Sequence, residues 1–106
     1  MSPEPERTPD GRFIVVGGRR WRAADPELPD EVRAELQQHL GRARSAVRTT
    51  RAAGDADAEA AARRRVGLAK HGLGERGTPW WEQSAEDRER RWTRALADLA
   101  DPDRSG

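Results

Sequence analysis

Apolar residues recur at helical spacing on both sides of Gly54. In the first half, the set separated by four, three and four residues is Leu36, Leu40, Ala43 and Val47. In the second half, the same intervals separate Ala62, Val66, Ala69 and Leu73. Such spacing places each set on one face of an α-helix. When the chain reverses at Gly54, the two faces meet in register, which predicts an antiparallel helical hairpin with helices over 29–53 and 56–72.

The segment before these helices has the pattern of a β-hairpin. Residues 12–23 carry β-favouring side chains on both sides of Gly17 and Gly18. Two adjacent glycines permit a two-residue turn with positive φ, which pairs Ile14 with Trp21. Because an isolated hairpin is marginal in water, we expect the face that carries Trp21 to pack on the helices.

The segment after the helical hairpin is irregular and then becomes helical again. Residues 74–83 show no apolar period and contain two adjacent tryptophans. Ser84, followed three residues later by Asp87, resembles a capping box. A narrow apolar stripe then predicts a third helix over 85–99.

These elements predict an α+β fold that is mostly helical. The two-stranded hairpin is expected to pack on the antiparallel helical hairpin, followed by a Trp-rich loop and a C-terminal helix. They form a single small domain over 11–100. Residues 1–10 hold three prolines and no apolar pattern, which predicts a disordered tail, and 101–106 are expected to be a loose tail.

The amino-acid composition indicates the cellular location of the protein more clearly than its function. Charged residues make up 37% of the chain, yet the net charge is only +1. Both long helices begin acidic and end basic, so the arginines are interpreted as a solvated face that the antiparallel helix neutralises. There is no cysteine for disulfides or thiolate metal sites. No apolar run approaches the ~20 residues of a membrane span, and no basic-then-apolar leader is present, so we expect a cytoplasmic protein without membrane partners.

Arginine and tryptophan are concentrated in the hairpin and in the loop. Arginine binds phosphate in a bidentate manner, and aromatic faces stack on bases or guanidinium groups. The candidate binding residues are Arg19, Arg20, Trp21, Arg22, Arg76, Trp80 and Trp81. The alternative is structural: Trp21 and at least one tryptophan of the loop close a small core beneath stacked arginines.

Two histidines lie at helical spacing from carboxylates. The residues that would bind a divalent metal ion are Glu35, His39 and His71. Exposed positions on a helix face explain the same pattern, so no metal is expected.

No pattern indicates an enzyme. Residues 72–77 match the spacing of a dinucleotide-binding loop, but a predicted helix precedes them where that fingerprint needs a strand. The serines lie in tails, on a helix face and at a helix cap, and the chain has no tyrosine. We therefore expect no catalytic residues and no cofactor.

Three segments carry a resemblance to a known family: DGRFIVVGGRRWRAADPELP, the stretch from Glu35 to Val47, and AKHGLGERGTPWWE. Together they resemble a family of small bacterial proteins, some of which are labelled "biopolymer transporter Tol". The likeness covers about residues 10–82 and implies a strand hairpin followed by a helical hairpin, with no established activity. Nothing in the sequence supports a transporter, since no segment spans a membrane and no propeller repeat is present. After Trp81 the family continues with an Asp-Gly-rich, Tyr-containing extension, whereas this chain continues with SAEDRERRWTRALADL.

The first functional hypothesis is a non-catalytic interaction module that binds a protein partner or a second copy of itself. The thin apolar core and the Trp80-Trp81 pair motivate it. The alternative is a nucleic-acid accessory protein that uses the Arg/Trp-rich hairpin and the Trp loop.

Overall fold

The computed structural model describes residues 6–100 and confirms the predicted α+β class. The three strands are β1 (Glu6–Arg7), β2 (Phe13–Val16) and β3 (Arg19–Arg22). The three helices are α1 (Asp30–Ala53), α2 (Ala56–Leu73) and α3 (Ala85–Ala100), with a single 3₁₀ turn over Trp80–Glu82. The predicted helix bounds therefore differ from the observed ones by one residue at most. The tail expected over 101–106 lies outside the described residues.

The hairpin has the predicted register. Ile14 lies opposite Trp21 in the antiparallel β2–β3 pair. Gly17 and Gly18 form the turn with φ of 58° and 78°, values that only glycine adopts at little cost.

A third strand extends the hairpin on the other side of β2. β1 pairs with β2, placing Glu6 opposite Val15 and Arg7 opposite Ile14. A turn fixes this strand, since the backbone N–H of Thr8 donates to the Phe13 carbonyl at 2.9 Å. The prediction of a disordered tail is therefore wrong for residues 6–10, and residues 1–5 lie outside the described residues. The three prolines favoured the prediction of a disordered tail, and a strand of only two residues is too short to show an alternation of apolar and polar side chains.

The helical hairpin buries the predicted faces. Asp55 caps α2, accepting a hydrogen bond from the Ala58 backbone N–H at 3.1 Å. Gly54 ends α1 in the left-handed conformation. The buried residues shared with the two predicted stripes are Leu36, Leu40, Ala43, Ala62, Ala69 and Leu73. Val47 and Val66 are half-buried.

Helix α3 completes the core by packing against α2. A Cβ on Gly72 would lie 2.7 Å from the Ala95 Cβ and 2.9 Å from a Leu36 methyl carbon, so the missing side chain permits the close approach. Leu99 joins the same buried cluster. The core thus includes α3 as well as the helical hairpin.

Candidate interaction site

A buried ion pair positions the tryptophan loop. Asp25, in the connection between β3 and α1, is fully buried, and its carboxylate accepts a hydrogen bond from Arg91 Nη2 of α3 at 2.7 Å. Arg88, one turn earlier, contributes a second ion pair at 3.4 Å. The Asp25 carboxylate also accepts the backbone N–H of Glu27 at 2.9 Å.

The rest of the Arg91 guanidinium is also bonded. Nε donates to the Gly72 carbonyl at 3.2 Å, and Nη1 donates to the Gln83 side-chain oxygen at 2.6 Å. The Asp25 backbone N–H in turn donates to the Leu73 carbonyl at 2.8 Å. This network joins the β3–α1 connection, the end of α2, the loop and the start of α3. A charge pair without solvent depends on such complete hydrogen bonding.

Trp80 belongs to the core. It is 8% exposed, and its indole N–H donates to the Ala23 carbonyl at 2.9 Å. The guanidinium of Arg88 lies 5.4 Å from its ring centroid and donates through Nε to the Trp80 carbonyl at 2.8 Å. Trp80 therefore presents no free face to a ligand, which favours the structural interpretation for this candidate residue.

Trp81 is the contact between the loop and the sheet. Its ring meets Trp80 edge-on at 5.1 Å and Phe13 at 5.7 Å between centroids. Arg12 lies 4.7 Å from its centroid and Arg22 lies 5.7 Å from it.

Arg22 adds a directed bond to the same contact. Its Nη1 donates to the Gly77 carbonyl at 2.7 Å. Phe13 and Arg22 lie opposite each other in the β2–β3 register, so they project from one face of the sheet. This face contacts the loop.

On the face that carries Trp21, Ile14 is half-buried and lines a pocket with Gln37 of α1, but Trp21 itself lies in the open, so its expected packing on the helices is wrong. Trp21 is 46% exposed and Val16 is 49% exposed. The physical reason is that the other face offers Phe13 for a ring contact with Trp81 and Arg22 for a hydrogen bond. Those contacts turn Trp21 away from the loop.

We define the open sheet face by the four exposed residues that the register places on one side of the sheet: Arg7, Val16, Arg19 and Trp21. The Arg19 guanidinium lies 5.1 Å from the Trp21 ring centroid. On the opposite side, Arg20 lies 5.1 Å from the Phe13 ring. Arginines thus lie over aromatic rings on both faces.

Positive charge is concentrated in the sheet. Residues 6–23 contain five arginines and two carboxylates, a net charge of +3, whereas the whole chain carries +1. One of these carboxylates stays ionised to lower pH than usual. The hydrogen bond from the Thr8 hydroxyl, followed by that from the Arg12 backbone N–H, lowers the pKa of Asp10. The sheet therefore has the local positive field that the overall composition hides.

Arg76 lies apart from the other candidates. A Cβ built on Gly67 of α2 would lie 3.7 Å from Arg76 Nη1, so this guanidinium rests along the helix. It lines a groove between α1 and α2 instead of the Trp81 cluster.

The histidines and their carboxylate are not joined into a metal site. His39 is half-buried, and burial, reinforced by Arg42 and Arg65, lowers its pKa against the opposing effect of Glu35. His71 is exposed near the end of α2. Over residues 6–100, no three histidine or carboxylate side chains are grouped closely enough to hold a metal ion.

Sequence reasoning missed Asp25, Arg88 and Arg91. The available signal is the position of Arg91 on the stripe that continues through Ala95 and Leu99 at intervals of four residues. An arginine on the apolar face of a helix indicates a buried partner.

Comparisons with family models, curated proteins and solved structures find no match to this chain. The resemblance to the small bacterial family therefore stays a prediction. In the part of the chain that the structure describes, no helix has both the length and the apolar character needed to cross a bilayer.

Proposed function

We propose that this chain is a non-catalytic, cytoplasmic interaction module that binds a protein partner, or a second copy of itself, through the open sheet face. The observation that carries the proposal is the exposure of Trp21 and Val16, each with nearly half of its surface in solvent. Large hydrophobic side chains rimmed by arginine have the composition of binding hot spots, where tryptophan and arginine are enriched.

The surroundings of Trp21 favour binding in two further ways. Arg19 lies over its ring, which reduces the conformational freedom that binding must remove. Trp21 also lies on β3, which is an edge strand of the sheet. An edge strand has backbone groups available for a partner strand, so side-chain and main-chain contacts can be made together.

The expected contribution of Trp21 follows from its exposed area. A tryptophan side chain buries up to roughly 250 Å², so covering its exposed 46% removes about 100 Å² from water. At about 25 cal/mol per Å² this gives roughly 2–3 kcal/mol, or about 30- to 150-fold in affinity.

A pulldown with the tagged chain tests the proposal, with and without nuclease treatment. Partner recovery is expected to survive nuclease, to fall sharply with Trp21→Ala, and to be unchanged with Arg94→Ala, an exposed position on α3. Undiminished recovery with Trp21→Ala would refute the role of the sheet face.

The net charge of +3 in residues 6–23 favours nucleic acid as the second candidate partner. In this case Trp21 would stack on a base, and Arg7 and Arg19, on the same face of the sheet, would contact phosphates. The candidate predicts single-stranded binding that weakens steeply with salt, by about 0.7 logarithmic units per tenfold salt for each phosphate contact. The double variant Arg7→Ala/Arg19→Ala is suited to the test because both side chains are exposed on the face that carries Trp21. Flat titrations with DNA and RNA at low salt would eliminate this candidate.

A further inference from the structure

A second surface lies between α1 and α2, and no strand residue is among its lining residues. It is a groove with a volume of about 320 Å³, and its lining residues are Arg44, Val47, Arg48, Arg63, Val66 and Arg76. Four arginines therefore line the groove together with two half-buried valines, which form its apolar floor.

Within residues 6–100, three of these arginines make no ion pair with a carboxylate. Arg63 donates to Glu59 at 2.9 Å, and the same carboxylate lies 3.9 Å from Arg51 across the hairpin turn. Among the described residues, Arg44, Arg48 and Arg76 pair with no carboxylate within 4.0 Å. The neutralisation expected between antiparallel helices is thus seen at Glu59, near the hairpin turn.

The ionisable side chains of Lys70 and Glu75, beside the groove, also indicate an excess of positive charge there. Burial, then Arg76, then Arg44 lower the pKa of Lys70, while Glu75 opposes them. Burial raises the pKa of Glu75, although Lys70, Arg44 and Arg76 favour its ionised form. With Glu59 and Glu75 set against Lys70 and the four lining arginines, the groove region carries a net charge of +3.

Helix stability does not account for the position of these arginines. Cations stabilise a helix within its last turn, which in α1 contains Arg51. Arg44 and Arg48 lie further back in α1, so the charge of these two residues is available to a ligand.

The floor selects among anionic ligands. Its lining includes no aromatic ring on which a nucleotide base would stack. Val47 and Val66 instead offer apolar contact beside the four arginines. We propose that the groove binds an acidic peptide segment of a protein partner, with one apolar side chain on the valines and flanking carboxylates on Arg44, Arg48 and Arg76. This site is separate from the open sheet face and does not depend on its function.

Fluorescence anisotropy with a labelled peptide of Glu-Glu-Leu-Glu repeats tests the proposal on the full chain at about 50 mM salt. Saturable binding is expected, and Arg44→Ala/Arg48→Ala should weaken it at least about tenfold. The matched control is Arg90→Ala/Arg94→Ala, which removes two arginines one turn apart from the exposed face of α3 and should leave affinity unchanged. Because Arg44 and Arg48 are exposed, both variants should retain the helical circular-dichroism spectrum of the wild type.

Two further probes separate the alternatives. A peptide in which glycine replaces leucine should bind at least about threefold more weakly, because it lacks the contact with Val47 and Val66. Oligo-dT should bind more weakly than the leucine peptide. The proposal is overturned if the leucine peptide shows no saturable binding, or if it binds the wild type and the Arg44→Ala/Arg48→Ala variant with equal affinity. It is also overturned if the leucine and glycine peptides bind equally well, or if oligo-dT binds more tightly than the leucine peptide through the same arginines. Trp21→Ala should not change this assay, so failure here is distinguishable from failure of the sheet-face proposal.

Discussion

Replacing Asp25 by alanine should strongly destabilise the fold. The carboxylate is fully buried and accepts hydrogen bonds from Arg91 at 2.7 Å and from the Glu27 backbone N–H at 2.9 Å. The variant leaves the Arg91 guanidinium buried without its counter-ion. Removing one partner of a buried pair costs about 3–5 kcal/mol, a large part of the roughly 5–15 kcal/mol that stabilises a typical domain.

Urea unfolding followed by tryptophan fluorescence and far-ultraviolet circular dichroism measures this loss. A destabilisation of about 3 kcal/mol should also lower Tm by at least about 12 °C for a domain of this size. The matched control is Arg90→Ala, which breaks the exposed pair with Asp87 and should cost no more than about 1 kcal/mol.

A second variant tests the stated cause. In the Asp25→Ala background, Arg91→Met removes the unpaired charge while keeping much of the apolar length. This double variant should be less destabilised than the sum of the two single changes, by about 0.5–3 kcal/mol. An Asp25→Ala protein within about 1 kcal/mol of the wild type, or strictly additive changes, would refute the reasoning.

Four other substitutions test the packing and the electrostatics. Gly72→Ala should lower the free energy of unfolding in urea by about 1–3 kcal/mol, because its Cβ would clash across the α2–α3 contact. The matched change Gly41→Ala adds a Cβ that meets nothing within 4 Å, so it should stabilise the protein by about 0.5–1 kcal/mol. A destabilised Gly41→Ala protein would contradict this account. Burial raises the pKa of Glu75 above its ordinary value of 4.5, so ionising Glu75 costs folding stability as the pH rises from 4.5 through the raised pKa. The Glu75→Gln protein should therefore be more stable than the wild type above this pH window and should lose that advantage below it. A difference in stability that does not change with pH would contradict this prediction. Phe13→Ala should loosen the sheet, because it removes the ring contact with Trp81 at 5.7 Å. Amide hydrogen exchange should then be faster in β2 and β3 and unchanged in α1. Faster exchange throughout the chain would contradict this local role of Phe13.

Local patterns explain why so much of the architecture could be predicted. The intervals of four, three and four residues around Leu40 and Ala69 define helix faces without reference to the rest of the chain. The Gly17-Gly18 turn fixes strand register in the same local way. Periodicity and turn chemistry therefore predicted the helices and the hairpin.

The parts that failed depend on contacts between distant segments. Asp25 and Arg91 are separated by 66 residues, so no local pattern joins them. Both faces of the hairpin carry a large aromatic residue, and the choice between Phe13 and Trp21 is made by Trp81, far along the chain. The sequence therefore indicated which residues are candidates for a binding site, but it could not distinguish the exposed tryptophan from the buried one.

The orientation of the sheet is the central claim, and nuclear Overhauser effects in the isotopically labelled chain test it most directly. The account predicts cross-peaks between the Phe13 ring and the Trp81 indole, whose centroids are 5.7 Å apart, and none between the Trp21 indole and the methyl groups of α1 or α2. Cross-peaks from Trp21 to those helices, with none from Phe13 to Trp81, would contradict it.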